Sequence, residues 1–403
     1  MRVSTSMMYT LGADAMGRQE SDLLHSQQQI SSGRRILTPA DDPVGAAQAV
    51  TVTQAKDRND QYATNIDTAK SALSLNDTVL SEISDLLTSV RTSAVQGGSS
   101  ALNDSDRASL ASSISSQLQT LLGYANSKDS YGRYMFAGFQ TASQPFVDNG
   151  SGSIVYNGDQ GVKLLQVAPG RSLPVSEPGS NLFLDVKNGN GTVVTAPAGS
   201  NSGTGVIGAG QVINPAALNG DSYTIQFHVS GGATTYDVVD STTSTTISTG
   251  NAYTDGAAVN VGGMQFTVSG APADGDAMTA GPSGQQSIFK TLQNLVATLR
   301  APVATAQDRA KLANGINRAL QDIDQAQSNV LTSRTTVGAS LWELDQVTSA
   351  NQGRAQEYAQ TLSSIQDLDY NKAISDFSQQ QVALDAAQKS FAKISGLSLF
   401  NYL

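Results

Sequence analysis

The sequence predicts an α+β chain: one long, coiled-coil-like helical domain made from both chain termini, with an all-β domain inserted between them. Three observations carry that prediction. Of 11 prolines, two (Pro39 and Pro43) share one early turn and the other nine fall between Pro145 and Pro302. Of 37 glycines, 24 lie in that same middle block. Proline disrupts a helix interior by about 3 kcal/mol and glycine by about 1, so the proline-free stretches 44–144 and 303–403 are helix-permissive. Third, the middle block alternates apolar and polar residues with period two, while both ends carry heptads.

Residues 1–40 read as an N-terminal helix, expected to be disordered in the monomer, and 41–144 as the first arm of a helical rod. Residues 145–282 read as a surface-exposed β domain, 283–369 as the second arm, and 370–403 as a C-terminal helix also disordered in the monomer. Within the first arm, Met8 to Ser32 reads as a helix and a second runs to about Gln96, stopped by Gly97-Gly98. Asn103-Asp104-Ser105-Asp106 caps a third, running to about Ser127. In the second arm, helices are expected from about Ser283, from about Thr305, and from about Ser340 to Lys393. Strands are expected at Ile154–Tyr156, Leu182–Val186, Tyr223–Val229, Thr235–Val239 and Met264–Val268, separated by Asn-Gly and Gly-Gly turns. The Ser/Thr run 241–249 reads as an exposed loop.

The heptads are thin. Tyr9, Met16, Leu23, Ile30 and Leu37 recur every seven residues. Ile374, Phe377, Gln381, Leu384, Gln388 and Phe391 alternate by three and four. With glutamine in the stripe and little apolar area to offset backbone ordering, these residues are the candidate assembly seams. They are expected to order when neighbouring subunits supply partners.

Composition narrows the function. A net charge of -10 over 403 residues, with no Lys or Arg from Asn188 to Phe289, argues against nucleic acid as a partner. The absence of cysteine removes disulfides, thiolate metal sites and cysteine nucleophiles. No run of 18 apolar residues predicts membrane insertion. Met1-Arg2-Val3-Ser4-Thr5-Ser6 leads into a polar stretch without the apolar region of a cleavable signal, so any exit is expected by another export route.

Chemistry finds little footing. His25 and His228 lie in different blocks without a helical metal partner, and both read as surface positions. Asp274-Gly275-Asp276 lacks the further ligands of a calcium loop and reads as a turn. Gly203–Gly208 lacks the lysine and helix of a phosphate loop. Trp342-Glu343 reads as a packing anchor. No catalytic, cofactor or metal residues are assigned, and the chain is expected not to be an enzyme.

Ile30-Ser31-Ser32-Gly33-Arg34-Arg35-Ile36-Leu37-Thr38-Pro39-Ala40-Asp41-Asp42-Pro43-Val44-Gly45 resembles the N-terminal signature of the bacterial flagellin family. Gly33 can end a helix, and Asp41 or Asp42 can cap the next beside Pro43. Gly33, Ala40, Asp41, Asp42, Pro43 and Gly45 are therefore the family turn motif. Leu87, Val90, Arg91, Val95 and Gln96 lie in a segment resembling the flagellin helix that packs between subunits. Tyr131-Gly132-Arg133-Tyr134-Met135-Phe136-Ala137-Gly138-Phe139, then Pro145-Phe146, resemble the hook–filament junction branch of that family. So do the ending Ile394–Leu403 and the block Asp221–Met278.

The resemblance implies a structural adaptor between the flagellar hook assembly and the filament base, exported unfolded and located outside the cell. Its implied partners are copies of itself, the preceding hook-associated protein, filament flagellin, and an export chaperone at the C-terminal helix. A filament flagellin is the nearest rival. A secreted protein binding host glycans through its β domain is a rival from another class.

Overall fold

The computed structural model describes residues 5–150 and 152–396. In chain order the first elements are α1 (Thr5–Ser32), α2 (Pro43–Gly97), α3 (Asp104–Ala125), β1 (Phe146–Asp148), β2 (Ile154–Tyr156), β3 (Leu164–Ala168) and β4 (Arg171–Pro174). Then come α4 (Gly179–Phe183), β5 (Val186–Lys187), β6 (Val193–Pro197), β7 (Val206–Ile207), β8 (Gln211–Val212), β9 (Tyr223–Ser230) and β10 (Ala233–Asp240). The rest are β11 (Thr245–Ala252), β12 (Ala258–Val261), β13 (Met264–Ser269), β14 (Ala277–Pro282), β15 (Gln285–Gln286), α5 (Ile288–Arg300), α6 (Ala306–Gln366) and α7 (Tyr370–Gly396). The chain is thus helical towards both ends with strands in the middle. It forms two compact units, residues 1–65 with 346–403 and residues 66–345. The division falls inside the two longest helices rather than at 40 and 370.

In the second unit, β11-β10-β9-β14-β6 form one antiparallel sheet, and β12-β13-β7, with β8 also on β13, form another. Strand alternation sends Tyr223, Ile225 and Phe227 of β9 inward, to meet Val259 and Val261 of β12, Phe266 and Val268 of β13, and Met278 of β14 in one core. A second core is aromatic. Phe146, Phe183 and Phe289 are fully buried with ring centroids 5.2–5.7 Å apart, and Phe136 packs edge-on to Phe183 at 5.5 Å. It ties the segment before β1 to α4 and α5, which explains why Phe136 and Phe146 sit in a recognisable motif.

Four local expectations are corrected. Leu182–Val186 is not one strand, because adjacent Leu182 and Phe183 are both buried, as a turn of helix permits and strand alternation does not. Ser283 does not begin a helix. Gln285 and Gln286 pair with β5, and α5 starts after Ser287, whose hydroxyl accepts the Lys290 N–H at 3.1 Å. The 241–249 run is not a loop throughout, since Thr245 onward pairs with β10 as β11. Finally, α6 continues unbroken through Ser340, and the expected helix to Lys393 is interrupted at Asp367–Asp369.

Candidate assembly surfaces

The family turn motif is built as a clasp within the first unit. Gly33 ends α1 at φ +71°, a conformation that glycine adopts at little cost. A Cβ there would lie 2.9 Å from the Tyr370 hydroxyl. Asp41 Oδ2 accepts the N–H groups of Leu37 and Thr38 at 2.8 and 2.7 Å. Asp42 caps α2 by accepting the Gly45 N–H at 2.9 Å, and its other oxygen takes Arg35 at 3.1 Å. Gly45 has no room for a side chain against Asp42 and Ile36. The Thr38 backbone bond holds the Asp41 carboxyl below its usual range, and the Gly45 backbone bond followed by Arg35 does the same for Asp42.

This turn is fastened to the α6–α7 break. Arg35 donates from its backbone to Gln366 O (2.7 Å) and from its guanidinium to Ile365 O (2.8 Å), while Leu368 N–H reaches Gly33 O at 3.0 Å. Asp369 then caps α7, accepting the N–H groups of Asn371 and Lys372. Sequence reasoning missed this break because no proline or glycine marks it. The Asp367-Leu368-Asp369 cap was the available signal.

Beyond the clasp α1 and α7 run antiparallel, with Tyr9 and Phe391 edge-to-face at 6.0 Å. Gly12 leaves a notch in which a Cβ would lie 2.9 Å from the Phe391 ring. On α1 the half-buried stripe is Tyr9, Gly12, Met16, Gln19, Leu23, Ser26 and Ile30, with Leu37 half-buried after the turn. On α7 it is Ala373, Phe377, Gln380, Leu384, Ala387 and Phe391. Ile374, Gln381 and Gln388 are exposed and flank the stripe that α7 turns to α1. A 3,4 spacing fits two registers, and the observed one begins at Ala373. The Leu397–Leu403 part of the motif ending, like residues 1–4, lies outside the described residues.

The 87–96 segment needs a further correction. Leu87 and Val90 are fully buried in the second unit's own core, so they cannot meet a neighbour while that unit is folded. Arg91 pairs with Asp324 at 2.7 Å. Val95 and Gln96 remain exposed.

A row of polar side chains on α6, not anticipated from sequence, fastens the strands to the helix. Asn314 accepts the Ile207 N–H and donates to Gly205 O, and buried Asp322 accepts from Gly189 N–H and Gln286. Asn329 donates to Asn181 and Leu182 carbonyls, and Ser333 Oγ lies 2.8 Å from both oxygens of Glu177. Burial raises the Glu177 carboxyl above its usual value, with the Ser333 bond acting the other way. A raised carboxyl favours the fold below its unfolded pKa and loses that contribution as pH rises through the folded one. Glu177→Gln is therefore expected to raise the unfolding temperature at pH 7, with the gain vanishing as pH falls below about 4.3. Paired thermal melts at the two pH values check this.

His25 lies 3.5 Å from Asp41 and His228 3.2 Å from Asp237, both partly exposed. Asp276 is buried, and its oxygens accept the backbone N–H groups of Ser202, Gly203 and Ala273, as a structural turn requires. Trp342 is a correction: it is 68% exposed on α6, so little of its ring is packed among the described residues. Among the described residues no helix is long and apolar enough to cross a membrane.

Against known proteins, the profile of the bacterial flagellin N-terminal helical region matches residues 3–141. The crystal structure of Xanthomonas campestris FlgL is 32% identical, spanning 77% of this chain and 99% of that one, with a TM-score of 0.72. This chain belongs to the flagellar hook-associated protein 3 (FlgL) family. The flagellar junction protein FlgL of Legionella pneumophila is 30% identical over 79% of this chain and all of that one, TM-score 0.71. Flagellar hook-associated protein 3 of Salmonella typhimurium is 27% identical over 99% of both chains. Within this FlgL family the similarity runs end to end, so it takes in the clasp and the aromatic core together.

Proposed function

We propose that this chain is the structural adaptor that joins the flagellar hook assembly to the base of the filament. The observation that carries this reading is the similarity over 99% of the chain to proteins named hook-associated protein 3, with a solved relative titled a flagellar junction protein. The chain works by packing, not by catalysis. Its partners are further copies of itself, the preceding hook-associated protein and filament flagellin, and an export chaperone holds the C-terminal helix before passage out of the cell as an unfolded chain. The α1–α7 pair supports assembly-coupled ordering of the termini, because half of its stripe is glycine, alanine, serine or glutamine and offers little apolar area. Deleting the gene is expected to leave hooks intact and without filaments, with flagellin accumulating in the medium. Normal filaments on the deletion strain would overturn the reading.

A further inference from the structure

We propose that the cavity between α2 and the β3–β4 hairpin binds a small zwitterion, an apolar amino acid, whose carboxylate meets Lys163 and whose ammonium meets Glu177 and Asn76. The site goes beyond the assembly role. It lies wholly within the second unit and uses neither the clasp nor the α1–α7 pair.

The cavity holds about 380 Å³, within the roughly 300–1,000 Å³ of pockets that enclose small ligands. Pairing at the open end of the hairpin sets its two charged walls. Lys163, just before β3, donates its backbone N–H to Ser176 Oγ at 2.9 Å, and its carbonyl accepts the Val175 N–H at 2.9 Å. Glu177 follows directly after β4, and both charged side chains line the cavity.

Three groups in this one cavity lack partners. Arg133 and Asp129 also line it, but they neutralise each other at 2.8 Å. Lys163 and Glu177 form no ion pair, with each other or with any other of the described residues. The two oxygens of Glu177 share the single proton of the Ser333 hydroxyl, and the adjacent Arg334 is taken by Asp77 at 3.0 Å. Burial and then the Arg133 charge hold the Lys163 ammonium below its usual value, as burial holds the Glu177 carboxyl above its own. Each shift is that of a charge short of a counter-ion. The third group is Asn76, 5% exposed, whose Oδ1 has no donor among the described residues. A buried acceptor left unpaired is uncommon and costly.

These three groups select the ligand. A simple anion would serve Lys163 and leave Glu177 and Asn76 unpaired, and a simple cation would do the reverse. A zwitterion supplies an acceptor to Lys163 and donors to both oxygen groups, through charge-assisted hydrogen bonds. The remaining wall includes Ala72, Leu75, Leu165 and Val175, an aliphatic surface for an aliphatic side chain. A charged side chain would find no counter-ion left, because Arg133 and Asp129 hold each other.

Calorimetric titration of the full chain with leucine at pH 7 is expected to show one site per chain. Isoamylamine lacks the carboxylate of leucine and isocaproate lacks its ammonium. Each should bind about tenfold or more weaker, the scale of one lost charge-assisted contact. Lys163→Met should bind leucine no better than isoamylamine, and Glu177→Gln should bind it no better than isocaproate. Circular dichroism checks that both variants fold, and loss of preference for one end of the ligand per variant is a result that misfolding does not produce. Equal affinity of the wild-type chain for leucine and for either half-molecule overturns the zwitterion assignment. Leucine binding left unchanged by both variants places it elsewhere and overturns the site. If leucine, isoleucine, valine and methionine all fail to bind at millimolar concentration, the proposal falls, and water alone serves the three groups.

Discussion

Phe146→Ala is expected to destabilise the second unit by about 3–5 kcal/mol, the usual cost of truncating a buried phenylalanine. That is a large part of the stability of most domains. The ring is fully buried and meets Phe183 at 5.2 Å, Phe289 at 5.4 Å and Tyr156 at 5.0 Å. The top of the range is expected because the site has little means of collapse. Asn126 clamps the Phe146 backbone from both sides, its Oδ1 accepting the N–H at 3.0 Å and its Nδ2 donating to the carbonyl at 2.9 Å. Gly179 already lies against the ring, where a Cβ would come within 2.7 Å of it. The backbone cannot move in to fill the space, so the cavity persists. Urea denaturation of the variant checks the value, with Val147→Ala, an exposed neighbour, expected within about 0.5 kcal/mol of wild type. A loss below about 1.5 kcal/mol for Phe146→Ala would mean that the aromatic cluster repacks, and that its role as the joint between α4, α5 and the β1 segment is overstated.

How far the sequence made this structure legible depended on whether a feature was local. The clasp was readable because its signals are chemical and close together: Gly33 reaches φ +71°, and Asp42 sits three residues before the N–H it caps. The strands Tyr223–Val229 and Met264–Val268 were readable because one face is buried and alternation shows. What failed was whatever depends on a partner distant in sequence. Leu87 and Val90 present the same local pattern whether they face a neighbour or the chain's own core, and only the fold reveals their full burial. Trp342 failed in the opposite direction, because tryptophan is usually an anchor and nothing nearby announces that this one is left outside. The register of the C-terminal stripe turned on Ala373, Gln380 and Ala387, residues too small or too polar to advertise a buried face. The polar row from Asn314 to Ser333 was hidden for a related reason. Its members look like a solvated helix face until the strands that use them are in place.

Removing residues 370–403 is expected to abolish assembly while leaving the second unit folded. The buried residues of that unit all lie outside the deleted segment: the sandwich core spans Val193 to Ala280, the aromatic cluster is built from Phe136, Phe146, Phe183 and Phe289, and the helices bury Leu87, Val90, Leu121 and Leu295. The first unit loses far more. Tyr9 loses its ring partner, Gly33 loses the Tyr370 hydroxyl beside it, and Met16, Leu23 and Ile30 lose the helix that half covers them. An isolated α1 of 28 residues with so mixed a stripe has little to keep it helical in water. In cells the truncated chain is expected to support no filaments. In vitro its urea transition for the second unit should match the full chain, which separates failed assembly from misfolding. Gly12→Leu provides the milder version of the same experiment. It leaves every residue of α7 present but places a branched side chain where a Cβ alone comes within 2.9 Å of Phe391. If the α1–α7 pair is the assembly seam, this single change weakens assembly in the same direction without touching the second unit. Normal filaments from the truncated chain would show that the seam serves only the monomer's own packing.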